Sequence, residues 1–173
     1  MTAEDGEIAG RMANIVSQKL RETSDYPRIL TLCRSTIAIS NNLGMMTELA
    51  IAEDASGNPQ KALELHQQVL ELCTEENVQL KATTLHCMAV IYANQGQVDQ
   101  AIELYQQSLA INEQIGNVQT KAATLWCLGK LFTDDDRDIA KGLVYLKEAR
   151  EIYLHLKSPS AQVVQEIIER IER

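Results

Sequence analysis

The sequence predicts an all-α protein, an array of helical hairpins stacked as an α-α superhelix and closed by a C-terminal capping helix. Three observations predict it. First, "LKATTLHCMA" (Leu80 to Ala89) returns as "TKAATLWCLG" (Thr120 to Gly129), so that Lys81, Leu85 and Cys87 answer Lys121, Leu125 and Cys127 at an offset of 40. Second, "KALELHQQVLEL" (Lys61 to Leu72) returns as "QAIELYQQSLAI" (Gln100 to Ile111), with Ala62 answering Ala101 at an offset of 39. Two recurring blocks at one period mean a two-segment unit, and fixed periods of this size mark stacked arrays. Third, only 3 prolines and 8 glycines punctuate 173 residues, which suits long helices with short turns and disfavours an all-β chain.

Taken in order, residues 7–41 read as a degenerate leading repeat. A helix near Glu7 to Thr23 precedes "PRILTLCRSTIAI", in which Ile29, Leu30, Leu32, Cys33 and Ile37 keep the second-helix pattern. In the repeat at 42–76, Gly57 supplies the positive φ that closes the first helix, and Pro59 opens the next where its missing N–H is harmless. In the repeat at 78–116, Leu85, Met88, Ala89 and Tyr92 fall at i, i+3, i+4 and i+7, one face of an α-helix. Gly96 then ends that helix. The repeat at 118–157 keeps the same register through Leu125, Leu128, Gly129 and Phe132. Small residues mark close helix approach: Ala50, Ala89 and Gly129 in the first helices, Ala62, Ala101 and Gly142 in the second. Residues 158–173 form the cap, with Ser158 as N-cap, Pro159 at the first helical position, and Val164, Ile167, Ile168 and Ile171 facing inward. One hairpin cannot bury its own apolar face, so the repeats stack into a single domain over 1–173. An initial Met and a cap fit a complete small protein, and an excised module is the alternative.

Charge and composition exclude several functions. The formal net charge is −8, and no dense basic stripe offsets it, which argues against nucleic acid. No apolar run approaches ~18 residues, so no membrane span is expected. The N-terminus opens with acids and does not resemble a secretory signal. Cys33, Cys73, Cys87 and Cys127 form no CxxC pair or zinc spacing and read as reduced thiols of a cytoplasmic protein. His66, His86 and His155 are scattered, and no P-loop, GxSxG or HExxH is present. No catalytic residue, metal ligand or cofactor is therefore expected. His66 occupies the place of Tyr105 and Leu146 and reads as a packed ring. "TDDDRD" (Thr133 to Asp138) lacks the glycine and glutamate of a calcium loop. It reads instead as acids complementing a helix N-terminus.

The order large, large, small, aromatic, then small, aromatic, small runs through Leu85, Met88, Ala89, Tyr92, Gly96, Ala101, Tyr105 and Ser108. It runs again through Leu125, Leu128, Gly129, Phe132, Gly142, Leu146 and Ala149. This pattern resembles the tetratricopeptide repeat family, in the longer-repeat branch that includes kinesin light chain and the Pins-type polarity adaptors. The resemblance implies that the first helices line a concave groove, at Thr47, Ile51, Thr83, His86, Val90, Asn94, Trp126, Lys130 and Asp134. Trp126 there either anchors a ligand side chain or packs on the neighbouring repeat. The Lys, Asn and Arg clamp by which some members hold chaperone tails is not matched, since Asn14, Gln18, Glu48, Thr83 and Cys87 stand at those places. Cys87 and Cys127 likewise replace the backbone-holding Asn of the longer-repeat adaptors, which favours apolar anchors over acidic peptides. The expected function is a non-enzymatic scaffold or adaptor that takes a peptide or helix of another protein. The alternatives are a self-associating structural module, and a regulatory module acting with a separate enzyme or transcription regulator.

Overall fold

The computed structural model describes residues 16, 20, 21, 25–40, 42–134 and 137–173. The predicted leading helix near Glu7 to Thr23 falls mostly outside them, as does the side chain of Ile37. The described elements are helical: α1 (Tyr26–Ser40), α2 (Leu43–Ala55), α3 (Pro59–Leu72), a 3-10 turn (Glu75–Asn77), α4 (Val78–Asn94), α5 (Val98–Ile115), α6 (Val118–Asp134), α7 (Ile139–His155) and α8 (Ser160–Ile171). They form two compact units that divide between Leu80 and Lys81.

In the first unit α1 packs on α2 through Ile29, Cys33, Met45, Leu49 and Ala52. Asn42 caps α2, its Oδ1 accepting from the Met45 N–H at 3.2 Å. Gly57 follows α2 at φ +87°, a conformation that carries no Cβ penalty in glycine. The chain then re-enters helix at Pro59, as the sequence predicts.

In the second unit the small residues do what the repeat pattern requires. Ala89 of α4 and Ala101 of α5 are fully buried beside Tyr105, Leu128 and Phe132. One repeat on, two glycines let the backbones of α6 and α7 come closer still. A Cβ on Gly129 would lie 2.6 Å from the Leu146 Cγ, and one on Gly142 would lie 2.4 Å from the Thr133 Cγ2 and 2.9 Å from the Gly129 carbonyl. Ser108 of α5 donates to the Ala82 carbonyl of α4 at 2.8 Å in a fully buried position. Lys121 ties three helices at the surface, pairing with Glu113 at 3.0 Å and Glu148 at 2.7 Å.

The cap α8 buries Ala161, Val164 and Ile168 against Leu125, Leu146 and Tyr153. Its start differs from the predicted one by a residue. Pro159 stands at the cap position and Ser160 is first in the helix, while the Ser158 hydroxyl still accepts from the Ser160 N–H at 3.3 Å. Ser158 thus satisfies an orphan donor from one place further out. The acidic run also divides. Asp138 caps α7, accepting from the Lys141 N–H at 2.9 Å, whereas Asp134 is the last residue of α6, and Asp135 and Asp136 lie outside the described residues.

Candidate functional site

Each unit carries part of the expected groove. In the first unit Thr47 is buried and returns its hydroxyl to the Leu43 carbonyl at 3.2 Å. Thr47 is therefore spent within its own helix, a correction to the sequence reading. Ile51 is half-buried.

In the second unit Val90, Asn94, Lys130 and Asp134 converge on one cavity of about 280 Å³, together with Tyr105, Cys127 and Leu131. The convergence has a simple cause. Val90 and Asn94 are one turn apart on α4, and Lys130 and Asp134 one turn apart on α6, so each pair shares a helix face. The rim is polar, with Asn94, Lys130 and Asp134 exposed, and the inner wall is apolar. Tyr105 and the Cys127 thiol both line the cavity. Burial, and then Cys127, push the Tyr105 phenol up. Burial also pushes the Cys127 thiol up, against the opposing pull of Tyr105 and Lys130, so this thiol is protonated and a poor nucleophile at neutral pH.

Two expected groove residues are half-buried and make ring contacts within the fold. The Trp126 ring sets its edge on Tyr153 of α7 with centroids 6.2 Å apart, and it packs against the cluster that includes α8. Its indole N–H is buried without a partner. Of the two roles open to Trp126, packing on the neighbouring helix is the one its contacts describe. His86 sits edge-on to Tyr105 at 5.3 Å, and its Nδ1 lies 3.0 Å from the Thr124 Oγ1. Thr124 donates its own hydrogen to the Thr120 carbonyl at 2.8 Å. Burial lowers His86 to about 4. Thr83 is half-buried.

His66 is fully buried with neither ring nitrogen hydrogen-bonded, which fits the packed ring that the repeat register predicts. Burial lowers it too, to about 4. A feature the sequence reading missed is Glu53 of α2, only 1% exposed. Its carboxylate accepts from Arg34 at 2.7 Å, Lys61 at 2.8 Å and Asn58 at 3.0 Å. Burial pushes this carboxyl up, but the hydrogen bonds from Lys61, Arg34 and Asn58 outweigh it and hold Glu53 below the ordinary carboxylate value. Among the described residues no cluster of His, Cys, Asp and Glu is arranged to hold a metal ion. Among the same residues no helix is long and apolar enough to cross a membrane.

Helical hairpins at a period near 40, with Ala89, Ala101, Gly129 and Gly142 buried or crowded between their helices, define a helical-repeat scaffold. Models of the tetratricopeptide repeat match residues 43–77 and 80–155, and the chain belongs to that family. Solved structures agree in fold. A Podosopora anserina protein of kinesin light chain type, with nearly identical TPR-like repeats, superposes with a TM-score of 0.72 at 21% identity, over 93% of this chain and 84% of that one. BtubC (BKLC) from P. vanneervenii gives 0.68 at 16% identity, over 98% and 88%. MamA from Desulfovibrio magneticus RS-1 gives 0.62 at 14% identity, over 95% and 93%. A search of curated proteins returns no match. The repeats and these neighbours support a protein–protein interaction scaffold in general terms.

Proposed function

We propose that the protein is a non-enzymatic cytoplasmic adaptor that receives a peptide or helix of another protein on its first-helix face, with the cavity between α4 and α6 as the principal subsite. The observation that carries this reading is the meeting of Val90, Asn94, Lys130 and Asp134 around an apolar wall that ends at Tyr105 and Cys127. A cavity of this size takes one medium apolar side chain, while Asn94, Lys130 and Asp134 remain free to hold the polar backbone beside it. Apolar anchors are the expected contacts.

The test is affinity capture from native lysate with wild type, Val90→Glu and Lys130→Glu, each checked for unchanged helicity by circular dichroism. Lys130 is exposed, and Val90 is half-buried against the cluster of Ala89, Tyr105 and Leu128, so the helicity check separates lost binding from lost packing. Trp126→Ala is a poor choice, because it would also remove the contact with Tyr153. A protein retained by wild type and lost from the folded variants supports the reading. Equal retention by all three refutes it.

A further inference from the structure

We propose that the first unit carries a binding site for a compact oxyanion, the phosphate of a small soluble phosphomonoester, at the junction of α1, α2 and α3. Arg34, Lys61 and the start of α3 form the site, and the buried carboxylate of Glu53 organises it. It does not depend on what occupies the first-helix face.

The geometry begins with one oxygen. The Arg34 Nη2 lies 2.7 Å and the Lys61 Nζ 2.8 Å from the same Glu53 Oε1, so the two cationic nitrogens stand within ~5.5 Å of each other, the sum of those distances. Two like charges are held at that spacing only because the carboxylate lies between them. It balances one of them and leaves one positive charge over. Neither cation is used up. The Arg34 and Lys61 side chains remain 54% and 50% exposed, and a guanidinium and an ammonium each carry several donors beyond the single one engaged here.

Helix α3 adds to the same place. Its cap residue Asn58 makes no side-chain capping bond, because its amide is turned to the Glu53 Oε2 at 3.0 Å. Pro59 has no N–H to offer. The Gln60 and Lys61 amides are thus the first donors at the positive end of the helix, and they point out uncapped. Arg34, Glu53, Asn58, Gln60 and Lys61 all border one cavity of about 490 Å³.

These donors select the ligand. A carboxylate can satisfy the Arg34 fork alone. A phosphate, with three acceptor oxygens around one centre, can meet Arg34, Lys61 and the helix start together. The cavity exceeds a single phosphate group, which leaves room for the organic part of a phosphomonoester.

The experiment is a two-dimensional amide NMR titration of the full chain at pH 7.5. Inorganic phosphate and glycerol 3-phosphate are the probes, with acetate and chloride at matched ionic strength as controls. Saturable shifts centred on the Gln60 and Lys61 amides are expected with both phosphates and absent with the controls. Half-saturation should weaken about tenfold in Lys61→Gln and in Arg34→Gln, the loss of one charge-assisted hydrogen bond each. It should stay unchanged in Glu64→Gln, an exposed change on the same helix. If Arg34→Gln unfolds, Arg34→Lys keeps a charge for Glu53 but loses the fork, and should still weaken binding. Shifts that never saturate, shifts reproduced by chloride or acetate, or saturation unaltered in Lys61→Gln each overturn the proposal.

Discussion

Acid should unfold this protein earlier than its carboxylates alone require, because two histidines must enter the fold uncharged. His66 and His86 both stand at about 4 in the folded chain, against an ordinary value of about 6.5. Burial is the cause in each. For a base, a lowered folded pKa means that protons favour the unfolded chain. The contribution is therefore neutral above pH ~6.5 and grows unfavourable as pH falls, levelling off below pH ~4. At pH 5 linkage gives a loss of about 2 kcal/mol per histidine, or about 4 kcal/mol for the pair, a large share of the stability of a typical domain. Glu48 and Asp54, both raised by burial, work in the opposite sense, so the comparison must be made between variants. Urea unfolding at pH 7.5 and pH 5.0 should show a smaller acid loss, by about 2 kcal/mol, in His66→Leu, which adopts the residue that Leu146 places at this register. His86→Asn, which can keep a donor toward Thr124, should recover a similar amount. If wild type and both variants lose stability in parallel between the two pH values, burial does not hold the two histidines uncharged.

Four further outcomes follow from packing and burial. Gly142→Ala should destabilise by about 1–3 kcal/mol in denaturant melts through overpacking against Thr133 and the Gly129 carbonyl, despite the better helix propensity of alanine; unchanged stability would mean that α6 and α7 can separate. Ser108→Ala should cost about 1–3 kcal/mol, since the Ala82 carbonyl loses a buried donor and the Asn112 amide a buried neighbour. Lys121→Met should change stability by no more than about 1 kcal/mol, because Glu113 and Glu148 are both largely exposed. In native protein, a thiol reagent should modify the half-buried Cys73 well before Cys33, which is fully buried, with mass-spectrometric mapping as the readout.

Much of the fold was legible in the sequence because it rests on local spacing repeated. Ala89 and Ala101, or Gly129 and Gly142, occupy matched places in consecutive units, and one period predicts all of them. Val90, Asn94, Lys130 and Asp134, which border the cavity between α4 and α6, come from the family resemblance and not from periodicity. What escaped depends on partners that periodicity does not name. Nothing in the local spacing marks Glu53, yet its buried carboxylate meets Arg34 from α1 and Lys61 from α3. The ring contact of Trp126 needs Tyr153, 27 positions on, and nothing in either helix's own pattern announces that contact. Thr47 belongs to the groove set through the family resemblance alone, and its burial is not visible from the spacing.

The chain of bonds at Thr124 has a consequence for what His86 can say to a partner. A threonine hydroxyl owns a single hydrogen, and Thr124 gives it to the Thr120 carbonyl. Toward His86 it can only accept, so the imidazole must carry its proton on Nδ1 and leave Nε2 as a bare lone pair. The ring is thereby fixed in polarity as well as in position. Whatever approaches that nitrogen is met by an acceptor, and a ligand atom that is itself an acceptor finds no welcome there.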